Sequence, residues 1–485
     1  MADYGAINSE LTPDEMRQRG LVHLQEGNAA EAAHLLSIVA DARPDAGIWN
    51  DLGTALGLLG RIDEAIIRLQ GALALQPDCL PAYANLGKVL LEHSRAADAV
   101  PLLRRAKALD PNFDPVRTHL ANALLGLGNK LLDDDAPRAE ECYREALQLI
   151  PEFAEAATNL GTALTRQNRL REAIRAYRTS LTLRPGDANT EFAFSLALLL
   201  NGEFAEGWRL FEARRAVMSM RENYQRRLEV PRCPPEELVA LPAGRTVLVL
   251  AEQGFGDMIQ YVRYVPLLVR RGLNVILEAP SELRKLFSGI PNVTLIDPSD
   301  PLPDGSTASF LLSLPLAFST ELRSIPANVP YLHAPSGIRD GARIGIVVSG
   351  DPAHPHDRHR SIPLTRLTPL ITIRGFQFVI VQRDIRGADR AAVETYGIAA
   401  PELRDFADTA ALLNQLDLLI TVDTSVAHLA GALGVPVWLM LRYSPDYRWL
   451  LGRTDSPWYP TMRLYRQPSP GDWDSVIEAV RRDLR

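Results

Sequence analysis

The chain has 485 residues, of which 46% are hydrophobic and 23% charged, and its formal net charge is −7. That composition excludes a disordered or collagen-like chain and leaves length for about three domains. The acidic balance also disfavours a general nucleic-acid binder, which carries a basic excess.

Residues 1–12 read as an N-terminal tail. It shows neither the basic start nor the apolar run of a secretory signal, so a cytoplasmic location is expected. Cys79, Cys142 and Cys233 form no Cys-x-x-Cys pair, which fits a reducing compartment and excludes a disulfide scaffold. Only Lys88, Lys107, Lys130 and Lys285 are lysines, and the other 48 basic residues are arginine. An anion site beyond Lys285 therefore relies on arginine, histidine or backbone N–H groups.

Helical periodicity fills residues 13–220. It is punctuated by Pro44, Pro77, Pro111, Pro151 and Pro185, at intervals of 33, 34, 40 and 34 residues. The frame ending at Pro77 contains Trp49, Leu52, Gly53, Ala65, Leu69 and Ala72. The next repeats it as Tyr83, Leu86, Gly87, Ala99, Leu103 and Ala106, and the frame ending at Pro185 as Ala157, Leu160, Gly161, Ala173 and Tyr177. Small residues at the Gly and Ala positions admit close approach of two antiparallel helices. The longer interval is accounted for by a polar loop at 129–138, about two helical turns of extra chain. A degenerate sixth unit runs from Ala188 to about Met218. The pattern resembles the tetratricopeptide repeat. That resemblance implies an α-helical solenoid whose concave surface takes a peptide or protein. The plainer reading is a module for dimerisation or stability alone.

Residues 221–244 hold four prolines and many charges and read as a linker. Strand and helix then alternate. Short runs rich in Val, Ile and Leu mark strands at 246–251, 275–278, 293–296, 310–312, 344–348, 376–381, 418–422 and 437–441. Helices between them include 257–271 and 425–433. The apolar stretch 416–441 contains Asp417, Asp423, His428 and Pro436, so it reads as strand, turn, helix and strand rather than a membrane span. The whole is a doubly wound α/β pattern. A break near 334–340 divides it into Rossmann-like halves, 245–336 and 337–467. The final segment, 468–485, carries an amphipathic helix at 472–484.

Four stretches carry candidate chemistry. The first is Glu252-Gln253-Gly254-Phe255-Gly256-Asp257, directly after a strand. Glycines in a strand-to-helix turn let a ligand approach the backbone, and the new helix presents N–H groups. The Gly-x-Gly-Asp spacing is not the dinucleotide fingerprint. Asp257 lies above the carboxyl ends of the strands, and its bland reading is an aspartate offsetting the helix dipole. The second stretch is 350–361. Arg358 and Arg360 can hold phosphate oxygens bidentately, and Ser361 can donate a hydroxyl. His354, His356 and His359 in the same loop suggest a metal cluster. They lack His-Glu-x-x-His spacing and are interrupted by a proline, so no metal is expected. A solvated loop is the remaining alternative.

The third stretch, 423–432, opens a helix after the strand at 418–422. Thr424 or Ser425 is a suitable N-cap, the N–H groups there suit a phosphate, and His428 in the first turn reaches the same anion. Taken alone, this is an ordinary capped βα unit with a structural histidine. The fourth, 443–460, mixes Tyr443, Tyr447, Trp449, Trp458 and Tyr459 with Arg448 and Arg453. These residues either flank a base or sugar or anchor the terminal helix.

Residues 245–485 resemble GT-B glycosyltransferases, in particular the heptosyltransferase-like glycosyltransferase family 9 and its repeat-fused relatives. The segments that carry the resemblance are 252–257, 349–363, 405–438 and 455–467. A repeat solenoid joined to such a half also resembles O-linked N-acetylglucosamine transferases and bacterial flagellin glycosyltransferases. The resemblance implies a TPR solenoid followed by an α/β GT-B fold of two Rossmann-like domains. It implies inverting, metal-independent transfer from a nucleotide-sugar donor, with no further cofactor, to a Ser or Thr hydroxyl of an acceptor protein. Flagellin is the specific acceptor suggested, held on the concave face. No nucleic acid and no membrane insertion are implied.

Residue by residue, the resemblance makes Asp257 the general base and places Arg360 where relatives carry a lysine. His428 joins Arg360 at the departing phosphate. The donor site would hold Gly254, Gly256, Ser349, His354, Arg358, Ser361, Gln382, Asp423, Thr424, Ser425, Val426 and Trp458. The terminal helix would cross back onto the first Rossmann-like half. Two rival readings stand beside this one: a glycan- or lipid-directed heptosyltransferase-like enzyme, and a repeat scaffold whose GT-B half is inactive.

Overall fold

The computed structural model describes residues 11–217, 231–252, 254–301, 305–335, 342–354 and 357–485. The chain divides into two compact units, Met1–Gly186 and Asp187–Arg485.

The first unit is five helix pairs: α1 (Pro13–Gln25) with α2 (Ala29–Ala42), α3 (Ala46–Leu58) with α4 (Ile62–Leu75), α5 (Leu80–Glu92) with α6 (Ala96–Leu109), α7 (Asp114–Leu131) with α8 (Ala136–Leu149), and α9 (Ala154–Arg166) with α10 (Leu170–Leu183). The in-phase glycines are where paired helices touch. A Cβ on Gly53 would lie 2.6 Å from Leu69 Cγ, and one on Gly87 2.5 Å from Leu103 Cγ, so any larger residue would push the pair apart. The insertion at 129–138 differs from the expected loop. Nothing in Asn129-Lys130-Leu131 breaks a helix, so α7 runs on to 18 residues where α3, α5 and α9 have 13. Asp135 then caps α8, its carboxylate accepting from the Arg138 N–H at 3.2 Å.

The second unit begins with the sixth helix pair, α11 (Ala188–Leu200) and α12 (Phe204–Phe211), continued by a 3₁₀ turn at Glu212–Arg215. The division between units thus falls one helix pair before the repeat pattern ends. Two all-parallel sheets follow. The first has the order β3 (Val293–Ile296), β2 (Asn274–Glu278), β1 (Thr246–Leu250), β4 (Thr307–Phe310). The second has the order β6 (Gln377–Ile380), β5 (Arg343–Val347), β7 (Leu418–Val422), β8 (Val437–Leu441), β9 (Met462–Arg466). The buried residues of β1, β2, β5, β6, β7 and β8 are mostly Val, Ile and Leu, as parallel strands covered on both faces require.

Several expectations change. The strand expected at 310–312 ends at Phe310, and Leu311–Ser313 turns into a 3₁₀ helix that leads to Pro315. The helix expected at 257–271 is interrupted. Helix α13 (Phe255–Tyr261) gives way to a 3₁₀ turn and then to Val265–Arg270, which carries Pro266 in its first turn. Of the expected linker, 221–230 lies outside the described residues, but 231–233 pair with the edge of β4. The Ala308 N–H donates to Pro231 O (2.9 Å) and the Cys233 N–H to Ala308 O (3.1 Å). The break near 334–340 falls largely outside the described residues. The terminal helix, α15 (Trp473–Leu484), stays with the second sheet instead of crossing back. Trp473, Val476, Ile477 and Val480 join the core of Ile344, Ile346 and Ile420. Helix α14 (Ser425–Leu433) matches its expected bounds. Among the described residues, no helix is long and apolar enough to cross a membrane.

A buried ion network joins the sixth helix pair to the first sheet. Arg214 is fully buried and donates from Nε (3.0 Å) and Nη2 (2.8 Å) to the two carboxylate oxygens of Glu252, which follows β1. Its Nη1 donates to Glu212 at 2.6 Å, and the Leu312 N–H donates to Glu252 at 2.9 Å. The opposing carboxylates hold the guanidinium in its charged form against the cost of burial. Removing one partner strands a buried charge, so Arg214→Met is expected to destabilise the second unit by about 3–5 kcal/mol. Chemical unfolding of the full chain checks this; a loss below about 1 kcal/mol, the scale of an exposed pair, would contradict it.

Candidate functional site

The carboxyl ends of both sheets open on a cleft of about 520 Å³. One wall is the turn after β1, with Gly254, Gly256 and Asp257. The other combines His354 and Arg360 from the loop after β5, Thr424, Ser425 and His428 from α14, and Asp446 and Arg448 after β8. Helices α13 and α14 meet closely here. A Cβ on Gly256 would lie 3.0 Å from His428 Cδ2 and 3.4 Å from Ser425 Cα, which is why a glycine stands before Asp257. A second cavity of about 380 Å³ adjoins the first. It is lined by Ser349, Gln382 and Val426, with Phe255, Gly350, Thr424 and Ser425 shared between the two.

Asp257 accepts from the Gly254 N–H at Oδ2 (3.2 Å) and from Arg448 Nη2 at Oδ1. Its side chain is 18% exposed. Burial raises the carboxyl above its ordinary pKa, while Arg448 pulls it down. A carboxyl held high by burial is a better proton acceptor than a free aspartate. Arg448 also donates to Asp446 at 2.8 Å, and its guanidinium stacks over Tyr447 (4.5 Å) and Tyr261 (5.7 Å).

The α14 end of the cleft suits an anion. The first N–H groups of a helix have no intrahelical partner and carry the positive end of its dipole. Thr424 is the N-cap residue but makes no side-chain cap, and its Oγ1 is buried with no hydrogen-bond partner. Arg360 lies flat over Gly350, where a Cβ would come 2.4 Å from its Nη2, and Nη1 donates to Asp423 O at 3.0 Å. His428 is 5% exposed and stacks on Trp449 at 5.3 Å. Burial, with Arg448 and Arg263 beside it, pushes its pKa well below the ordinary value, so the ring is neutral at pH 7. Its Nδ1 bonds the Tyr459 hydroxyl at 2.9 Å. With that hydroxyl as donor, the ring proton sits on Nε2, on the Gly256 side. His428 thus offers a neutral hydrogen bond rather than a charge. Asp423 accepts from Trp449 Nε1 at 2.9 Å, and burial and Asp446 raise its pKa.

Three expected donor contacts line neither cavity. Ser361 donates its hydroxyl to Asp357 at 3.0 Å. Arg358 bonds His359 at 3.0 Å. Residues 358 and 360 sit two apart on the helix Asp357–Arg360, about 200° around its axis, so both cannot face the cleft. Trp458 is 1% exposed and packs against Trp208 and Tyr261, within 6.3 and 5.9 Å of their centroids. Of the stretch 443–460, Asp446 and Arg448 line the cleft, whereas Tyr447, Trp449, Trp458 and Tyr459 are buried. The buried residues seal the sixth helix pair and the first sheet against the second: Tyr447 bonds Tyr261 (2.7 Å), and Arg263 donates to Trp458 O (2.6 Å). Gln382 lines the second cavity, accepting from the Val348 N–H (2.7 Å) and donating to Ser349 Oγ (2.9 Å). His356 lies outside the described residues. Among those described, no group of three His, Cys, Asp or Glu side chains is placed to hold a metal ion.

Sequence reasoning missed Arg448 as the partner of Asp257, and Tyr459 and Trp449 as the residues that orient His428 and Asp423. All three sit in the aromatic stretch it had singled out. It also missed Asp357, a buried carboxylate that gathers Arg360, Ser361 and Arg386.

The tetratricopeptide repeat family matches residues 17–78, 50–112 and 133–188. The first unit is built of tetratricopeptide repeats. Protein FlbA of Caulobacter vibrioides is 25% identical over 502 residues, covering 94% of this chain and 80% of that protein. Human protein O-mannosyl-transferase TMTC3 is 24% identical over 268 residues, 53% of this chain and 27% of that protein. The probable UDP-N-acetylglucosamine–peptide N-acetylglucosaminyltransferase SPINDLY of Hordeum vulgare is 27% identical over 187 residues, 30% of this chain and 20% of that protein. The chain thus spans most of FlbA but only about a quarter of TMTC3 and a fifth of SPINDLY.

A buried hydroxyl without a partner costs stability that a methyl does not. Thr424→Val is therefore expected to stabilise the ligand-free protein by about 1 kcal/mol. Denaturant midpoints measure it, and destabilisation of similar size would show that the hydroxyl is already satisfied.

Proposed function

We propose that the chain is a protein glycosyltransferase. Its second unit takes the role of a GT-B catalytic half, and its repeats hold the acceptor. The observation that carries this reading is the cleft, which brings a half-buried proton acceptor, Asp257, opposite an anion cradle made by the first turn of α14, Arg360 and His428. Two relatives, TMTC3 and SPINDLY, are named as transferases that place a sugar on protein or peptide, which supports the same reaction class.

In the proposed mechanism, a Ser or Thr hydroxyl of the acceptor lies against Asp257. The carboxylate takes its proton as the oxygen attacks the anomeric carbon. The bond to the nucleotide phosphate breaks on the opposite face, so the anomeric configuration inverts. Charge gathers on the leaving phosphate oxygens. Arg360, the N–H groups at the start of α14, the Thr424 hydroxyl and the Nε2 proton of His428 meet that charge without help from a metal. Gly254 and Gly256 let the backbone come close, and Ser349, Gln382 and Val426 line the adjoining cavity, which has room for the rest of the donor. The cysteine pattern fits a reducing, cytoplasmic compartment, and a flagellin-type acceptor is the case suggested by the architecture.

Intact-mass analysis of a candidate acceptor co-expressed with the chain tests this. Wild type adds one or more sugar masses, and Asp257→Asn slows the addition by at least about a hundredfold, the scale of a lost general base. Unchanged addition by Asp257→Asn would remove that residue from the mechanism. Deleting residues 1–186, and not 1–220, is expected to abolish modification while sparing nucleotide binding, because Arg214 belongs to the catalytic unit.

A further inference from the structure

Arg448 is placed unlike any other cation of the cleft. Among the described residues lining it, Arg448 alone grips the proposed base, through Nη2, and it grips a second carboxylate, Asp446, through Nη1. Its Nε is buried with no hydrogen-bond partner. That N–H is an unspent donor on a residue only 8% exposed, in the same cleft as the unpartnered Thr424 hydroxyl. Both groups await an oxygen-rich ligand.

The pair as it stands is unsuited to proton transfer. Oδ1 of Asp257 is held by a guanidinium and Oδ2 by the Gly254 amide, so an incoming hydroxyl meets a carboxylate whose proton affinity the charge-assisted bond to Arg448 holds down. Arg448 nevertheless has somewhere to go. Asp446 keeps it neutralised if it leaves Asp257, and the rings of Tyr447 and Tyr261, 4.5 and 5.7 Å from the guanidinium, still offer it aromatic faces.

We propose that Arg448 changes partner when the donor binds: it masks Asp257 in the empty cleft and turns to the donor's phosphate oxygens in the filled one, so that Asp257 becomes a free base only beneath a bound donor. This rests on the reading of the cleft as a nucleotide-sugar site. It adds a substrate-gated base, which ties deprotonation of the acceptor to the presence of the donor. The other titratable groups facing the pair are Glu252 after β1, Asp423 after β7, Asp446, Tyr447 and Tyr459 after β8, Tyr261 on α13 and His428 on α14. His428 is neutral and the tyrosines are held protonated, and of the two carboxylates that grip Arg448, Asp446 and Asp257, the Asp257→Asn comparison isolates the second.

The test is a double-mutant cycle on nucleotide affinity, by calorimetry with UDP, GDP, ADP and CMP. If phosphate and Asp257 compete for Arg448, Asp257→Asn tightens nucleotide binding about tenfold. The same change made in an Arg448→Gln background has less than about a twofold effect. Wild-type affinity also gains, as pH falls through the Asp257 titration, a component that Asp257→Asn lacks. Arg448→Lys, which keeps the charge but loses the fork, guards against a misfolded glutamine variant and is expected to retain part of the coupling. Equal tightening in both backgrounds would mean simple charge repulsion and would overturn the switch alone. Failure of all four nucleotides to bind wild type and Asp257→Asn would overturn the nucleotide-sugar reading, and the switch with it.

Discussion

A half-buried aspartate and a buried arginine, brought from different parallel sheets, hold the centre of the second unit. Asp257 stands at the first turn after β1 and Arg448 in the loop after β8. Neither is stable alone in so little water, since an unpaired buried charge costs several kcal/mol. Their pairing links the two sheets. The surrounding links follow the same line: Tyr261 to Tyr447, Arg263 to the Trp458 carbonyl, and the glycine that lets α13 and α14 touch. The cleft is what remains between the sheets once these contacts are made.

The same constraint explains why the sixth helix pair travels with the catalytic unit. Trp208 and Phe211 pack edge-on and tilted against Tyr447, and Arg214 clamps Glu252, five residues before Asp257. A segment that reads as a repeat by period has been recruited as the backing of the turn that carries the proposed base. On the proposed mechanism, the sixth helix pair and the chemistry are thus joined through side chains as well as through the chain.

Much of this was legible in the sequence. A 34-residue period with in-phase small residues leaves little choice but paired helices, and Gly53 and Gly87 meet Leu69 and Leu103 as the pattern requires. Short Val- and Ile-rich runs located seven of the nine strands, and the expected 310–312 touched β4 only at its last residue. The ninth, β9, was missed because Met-Arg-Leu-Tyr-Arg alternates like a half-exposed edge and follows a proline. Asp257, Arg360, Thr424, Ser425 and His428 were legible because they sit at strand ends, where a parallel sheet collects its functional groups. Arg358, Ser361 and Trp458 were misplaced for local reasons: a helical turn sends Arg358 away from Arg360, Asp357 takes the Ser361 hydroxyl, and Trp458 is drawn into the aromatic core. Arg448 was beyond reach because its meaning depends on a residue 191 positions away. Nothing in either local pattern encodes that partnership.

The most direct test of the account is a crystal structure of the chain soaked with the nucleotide it binds best. The account places the phosphate within hydrogen-bond distance of the Ser425 and Val426 N–H groups, Arg360 and the Thr424 hydroxyl, with Asp257 facing the open end of the cleft. A nucleotide bound elsewhere on the second unit, with this cleft empty, would contradict it.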